Sequence, residues 1–240
     1  PCVPSEAATA VSPRSVPGSP TAVVAVAGNG AATVSWAAPA DNGGFAVTRY
    51  TVARAGTAGL TDCSTDGALT CEVSGLTNGV AYTFAVSATN IVGTGARSTA
   101  SATVTPRTIP GRPRSVGAVP GNSSSTVSWV APATNGGSTI TGYTVTASDG
   151  GRTCTTGGAL TCTVTGLTNG LAYTFTVSAT NEAGTSTPSA ASTPVTPRTV
   201  PDAPSSVVAV AGNGSATVSW RAPVSDGGAT VSGYMVTASG

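Results

Sequence analysis

The strongest constraint on this chain is a fifteen-residue stretch that occurs twice. Leu76-Thr-Asn-Gly-Val-Ala-Tyr82-Thr-Phe84-Ala-Val86-Ser-Ala-Thr-Asn90 returns as Leu167-Thr-Asn-Gly-Leu-Ala-Tyr173-Thr-Phe175-Thr-Val177-Ser-Ala-Thr-Asn181, with thirteen of fifteen positions identical. Self-similarity at a fixed period is the signature of an array of like units. Tryptophan repeats the message: Trp36, Trp129 and Trp220 lie 93 and 91 residues apart, each in a Thr-Val-Ser-Trp frame followed three residues later by proline.

Within each unit the apolar period is two. Val34 and Trp36 share one strand face, and Thr33 and Ser35 take the other, the pattern of a half-buried strand. A Gly-rich turn follows each Trp strand: Asp41-Asn-Gly-Gly44, Thr134-Asn-Gly-Gly137 and Ser225-Asp-Gly-Gly228. Asn and Gly supply the positive φ angles of such turns. A Tyr strand comes next, at Tyr50-Thr-Val52, Tyr143-Thr-Val145 and Tyr234-Met-Val236. Val47 and Ile140 precede their Tyr by three, which breaks the alternation and suggests a bulge. In the twice-repeated stretch Val80, Tyr82, Phe84, Val86 and Ala88 line one face. The Asn78-Gly79 pair ahead of it signals a turn, and a last strand is expected to end at Val104-Thr-Pro106. No stretch sustains a helical period, and Gly, Pro, Thr and Val are too frequent for helices. Seven short strands per repeat read as a β-sandwich.

Charge excludes several functions. Only 8% of residues are charged and the net charge is +1, against roughly a quarter charged in an average soluble protein. There is no basic face for nucleic acid and no run long enough to insert in a membrane as a helix. All ten basic residues are Arg, and His is absent. A His-based triad and a His zinc site are therefore excluded within this segment. The carboxylates do not recur as a pair at matching positions, so no catalytic residue, cofactor site or metal site is assigned.

The five cysteines form two matched pairs and an orphan. Cys63 and Cys71 are eight apart, as are Cys154 and Cys162. Recurrence at equivalent positions favours two local disulfides over a metal site, which would need four clustered ligands, and over free thiols. Disulfides imply an oxidising compartment, secreted or at the cell surface. The partner of Cys2 is expected upstream, with a bridge to another chain as the alternative.

Pro-rich joints mark the boundaries: Thr105-Pro-Arg-Thr-Ile-Pro110 and Thr196-Pro-Arg-Thr-Val-Pro201. They read as short, semi-stiff linkers, with Ile109 and Val200 placed to pack between neighbours. The division expected is a last strand of a preceding domain at 1–13, whole domains at 17–106 and 110–197, and three strands of a further domain at 201–240.

These landmarks resemble the fibronectin type III family: Trp on the second strand, Tyr-x-Val on the third, and Leu76…Tyr82-x-Phe84-x-Val86-x-Ala88-x-Asn90 followed by Gly93. The resemblance implies tandem seven-stranded immunoglobulin-like sandwiches, strands A, B and E against C, C′, F and G. It makes Trp36, Trp129 and Trp220 core residues. It makes Leu76 with Tyr82, and Leu167 with Tyr173, tyrosine corners, whose hydroxyl bonds to backbone just upstream. It also places the paired cysteines on strands C′ and E, where a bridge would clip the sandwich edge. Arg without Lys, with abundant Ala, Thr, Val and Gly, suggests a bacterial source with a GC-rich genome.

Three functions follow as expectations. The first is a non-catalytic structural or adhesive spacer, a rod or filament of stapled repeats. Its partners would be neighbouring repeats, other copies, or a surface ligand. The second is an accessory linker module of a secreted polysaccharide-degrading enzyme. The third is protein recognition through the Asn-Gly-Gly loops and the loops 90–95 and 181–186.

Overall fold

The computed structural model describes residues 14–55 and 62–239; the expected strand at 1–13 and Cys2 lie outside the described residues. The chain divides into two compact units. The first comprises Pro1–Thr108 with Gly136–Ser138, and the second Ile109–Asn135 with Thr139–Gly240. Every regular element among the described residues is a strand, and every pairing is antiparallel.

In the first unit β1 (Thr21–Ala27), β2 (Ala32–Ala37), β3 (Arg49–Arg54), β4 (Cys63–Thr65), β5 (Thr70–Val73) and β6 (Phe84–Thr89) form two three-stranded sheets, ordered β1-β2-β5 and β4-β3-β6. The second unit repeats this with β7 (Arg114–Gly121), β8 (Ser124–Val130), β9 (Gly142–Ala147), β10 (Thr153–Thr156), β11 (Thr161–Thr165), β12 (Phe175–Asn181) and β13 (Gly184–Thr185). Its sheets run β11-β8-β7 and β10-β9-β12-β13. The alternation seen in the sequence decides what lies between the sheets. Val34, Val52, Val73, Phe84 and Val86 are fully buried in the first core, as are Val127, Val145, Val164, Phe175 and Val177 in the second. Trp36 packs on Tyr50 with ring centroids 5.5 Å apart and planes tilted by 56°, and Trp129 on Tyr143 at 5.4 Å and 58°. Such tilted pairs add about 0.5–1.5 kcal/mol beyond the area they bury. Val80 departs from the expected inward face: it precedes β6 and stays exposed.

The strand register corrects one expectation. β3 and β9 pair without interruption, because Val47 and Ile140 lie before the strands and reach the core from there. The bulges sit instead in β1 and β7, at Thr21/Val24 and Arg114/Gly117. Ala22 and Ser115 adopt φ of 50° and 52° there. A bulge bends an edge strand and interrupts its free hydrogen-bonding row, which guards against edge-to-edge pairing.

The last strand of each sandwich is also unlike the expectation. Residues 95–104 touch β6 only at every third position. The amides of Gly95, Ser98, Ser101 and Val104 donate to the carbonyls of Ala88, Val86, Phe84 and Tyr82 at 2.8–2.9 Å. Three residues on one side span two on the other, so the carbonyls of a regular ladder are out of register with β6. Serine hydroxyls replace them. Ser98 Oγ accepts from Val86 N at 3.0 Å and Ser101 Oγ from Phe84 N at 3.1 Å. Ser186, Ser189 and Ser192 do the same for Ala179, Val177 and Phe175.

Residues 201–239 form only the hairpin sheet of β14 (Ser205–Gly212) and β15 (Ser215–Arg221). The expected third strand at Tyr234-Met-Val236 is not formed. Trp220 packs on Tyr234 at 5.3 Å and is half-buried.

Two serines of the second sandwich separate these effects. Replacing Ser189 by Ala strips the buried Val177 amide of a partner and should destabilise by about 1–3 kcal/mol. Ser125 is fully buried and its hydroxyl has no partner among the described residues; Ala32 occupies its place in the first sandwich. Ser125→Ala should leave the melting temperature unchanged or raise it, as read by calorimetry of the two variants beside the parent.

Candidate functional site

The residues singled out by the sequence fall into three groups: the corner before β6 and β12, the cysteine hairpins, and the loops at the ends of the strands. In the corner, Thr77 N donates to the Tyr82 hydroxyl at 3.1 Å, and Thr168 N to the Tyr173 hydroxyl at 3.0 Å. Leu76 and Leu167 are buried beneath. The corner fixes the crossing into β6 or β12, the F strand of each sandwich, and engages both tyrosine oxygens. Tyr50 and Tyr143 are buried further along the core, and burial raises their pKa above the ordinary 10.0. The neutral phenol is the form the core accepts.

Cys63 is bonded to Cys71 and Cys154 to Cys162, with Cα atoms 6.4 and 6.3 Å apart. β4 and β5 belong to different sheets, as do β10 and β11. Each bridge therefore ties the two layers of one sandwich together at an open edge. Opposite Cys63 in the ladder is Val52, and opposite Cys71 is Val34, both fully buried. The first hairpin carries a further clamp that the second lacks in its sequence. The Asp62 carboxylate accepts from Arg54 N at 2.6 Å and from Arg54 Nε at 2.9 Å.

The loops offer little to a ligand. Asn90 is 3% exposed. Its Nδ2 donates to the carbonyls of Ser15 and Asn42 at 2.8 and 2.9 Å, and its Oδ1 accepts from Val92 N and Gly93 N. Asn181 bonds likewise to Asn135 O, Ala183 N and Gly184 N. These asparagines knit one loop to the next and have their polar atoms engaged. The Gly-rich turn is closed by its own side chains: Gly43 N donates to Asp41 Oδ1 and Gly44 N to Asn42 Oδ1.

Among the described residues no three of Cys, Asp and Glu gather as a metal-binding group. An open apolar cleft of about 730 Å³ lies on the β14–β15 hairpin, lined by Trp220, Val218, Tyr234 and Met235 among others. Val218, Trp220 and Tyr234 on its walls hold the positions of Val34, Trp36 and Tyr50, which the first sandwich buries, so it corresponds to a core position rather than to a ligand cavity. Alternation does not reveal the serine hydroxyls along the last strand. Their signal is a serine at every third position, a period that belongs to neither helix nor strand.

The fibronectin type III domain model matches residues 15–104 and 111–195. The chain belongs to the fibronectin type III family. It is 34% identical over 160 residues to chitinase A1 of Niallia circulans, which covers 63% of this chain and 22% of the relative. It is also 34% identical over 164 residues to exoglucanase B of Cellulomonas fimi, covering 63% of this chain and 14% of that protein. The chain thus spans less than a quarter of the length of these relatives. Among solved structures it resembles the FN1–FN3 domains of chicken CNTN1, with a TM-score of 0.41 at 21% identity over 86% of this chain and 76% of that one.

Two measurements check the site. Reduction of the bridges should lower the stability of each sandwich by roughly 2–3 kcal/mol, the chain-entropy value for so short a loop, seen as a fall in melting temperature in reductant. Because burial raises the pKa of Tyr50 and Tyr143 in the fold, their contribution to stability should be constant up to about pH 10 and should be lost as pH rises from there through their titration in the fold. Thermal melts between pH 7 and 12 read this directly.

Proposed function

We propose that this segment is a non-catalytic spacer of a secreted polysaccharide-degrading enzyme. The observation that carries the reading is where the aromatic side chains go. Every Trp, Tyr and Phe of the two complete repeats is buried or half-buried. Phe45, outside the core, is covered by the Arg14 guanidinium 4.1 Å above its ring. No row of exposed rings is left in these repeats to stack on sugar, and the engaged loop asparagines leave no polar cluster in its place. What the domains do offer is length. A strand of about eight residues spans some 27 Å, so each sandwich would add roughly 30 Å between flanking modules.

The relatives named as a chitinase and an exoglucanase support an enzyme context, and the bridges suit an extracellular one. The adhesive stalk or filament body requires the same module with other neighbours, and the sequence of the whole gene separates the two.

The isolated segment should bind neither insoluble chitin nor cellulose in a pull-down. Deleting it from the parent enzyme should leave turnover of a short soluble substrate unchanged and lower turnover of the insoluble polymer several-fold. Retention of the isolated segment on either polymer would replace the spacer reading with that of a binding module.

A further inference from the structure

We propose that the Asn169-Gly170 turn and the Gly227-Gly228 turn of the second unit form a preformed dock between one repeat and the next, closed by backbone against backbone, which leaves the Pro-rich joint without a hinge.

The joint itself is held at both ends. On the side of the complete sandwich, Gly170 N donates to Pro197 O at 2.9 Å and Arg198 N to Gly121 O at 3.1 Å. On the side of the next repeat, Thr199 N donates to Gly227 O at 2.8 Å and Asp202 N to Ser225 O at 3.0 Å. Only the backbone torsions of Arg198 separate the last bond to one repeat from the first bond to the other. Val200, expected to pack between neighbours, is 80% exposed, and Ile109 Cγ2 lies against Gly184.

Glycine does what those side chains do not. A Cβ on Gly170 would come within 3.2 Å of Gly228 Cα. One on Gly228 would come within 2.8 Å of the Asn169 carbonyl carbon and closer still to Gly170 N. A Cβ on Gly227 would meet the Val200 carbonyl oxygen at 2.8 Å and the Thr199 oxygen inside that. The two main chains therefore touch where no side chain fits, with φ of 84° at Gly170 and 87° at Gly228. Close backbone approach and positive φ are both conditions that glycine alone meets without strain.

The receiving turn is set before docking. Asn169 Oδ1 accepts from Ser123 N at 2.8 Å, and its Nδ2 donates to Asn122 Oδ1 at 2.9 Å. The side chain is locked into the β7–β8 hairpin tip of its own sandwich, which fixes the direction of the Gly170 backbone. Little order remains to be imposed when the second turn arrives. Inside the first unit, which includes Gly136–Ser138, the same parts recur. Gly79 N donates to Pro106 O, Arg107 N to Gly28 O and Thr108 N to Gly136 O, and a Cβ on Gly79 would lie 3.1 Å from Gly137 Cα. Asn78 bonds Gly30 N and Asn29 Oδ1 as Asn169 bonds its hairpin.

The test is amide hydrogen exchange on the full chain. In the parent, the Gly170, Arg198 and Thr199 amides should be protected. Gly228→Ala should speed their exchange by about tenfold or more, through local opening of the joint, while β12 stays protected. Gly137→Ala should do the same to the Gly79, Arg107 and Thr108 amides. Gly150 supplies the control, since its φ is 68° and a Cβ there meets nothing within 4 Å. Gly150→Ala carries comparable backbone strain and should leave the joint amides as they are. Unprotected Arg198 and Thr199 amides in the parent would overturn the proposal. So would equal acceleration by Gly150→Ala.

Discussion

Burial of the F strand is the constraint on which each sandwich depends. Phe84, Val86 and Ala88 in the first, and Phe175, Val177 and Ala179 in the second, have no exposed surface. The strand pairs with β3 or β9 on one side and is bonded by the serine-bearing segment on the other. In residues 205–239 the Trp220–Tyr234 contact keeps the distance and tilt found in the complete sandwiches. An indole on a phenol aligns two elements; it is the F strand that supplies the apolar side chains filling the space between the layers.

A lean core explains the other devices. With aromatics at 5% of the chain and alanine abundant, each domain gains little from large side chains. The inter-sheet bridges, the tyrosine corner and the asparagine clasps act at edges and turns, where the core contributes least. Hydrogen bonds to buried backbone amides matter more here than in a richer core, because an unsatisfied amide costs as much as several methylenes. The same economy leaves the surface neutral and rich in hydroxyls. Such a surface suits a segment that separates other modules, since it offers few charges for unintended association.

Much of this was legible in the sequence because it rests on local periods. Alternation located β2, β6 and β8, Gly pairs located turns with positive φ, and equal spacing paired the cysteines. What escaped notice involves contacts that local periods do not encode. The bulges in β1 and β7 put Ala22 and Ser115 at positive φ, a conformation their side chains do not announce. Asn78 and Asn169 read as turn residues, but each also holds a hairpin tip nearly fifty residues earlier in the chain. A last strand is expected to end at Val104-Thr-Pro106, and its step of three is visible only once β6 is known to need hydroxyl acceptors. Val47 and Ile140 were correctly seen as out of phase; the phase break lies in the approach to the strand and not within it.

Residue-resolved amide exchange across the whole chain tests the dependence on the F strand most directly. The account predicts the slowest exchange at Val86, Val177 and Ala179, with the amides of the edge strands β1 and β7 exchanging faster. Protection of β1 and β7 equal to or above that of β6 and β12 would contradict it, since the sandwiches would then be held no more firmly at the F strand than at their edges.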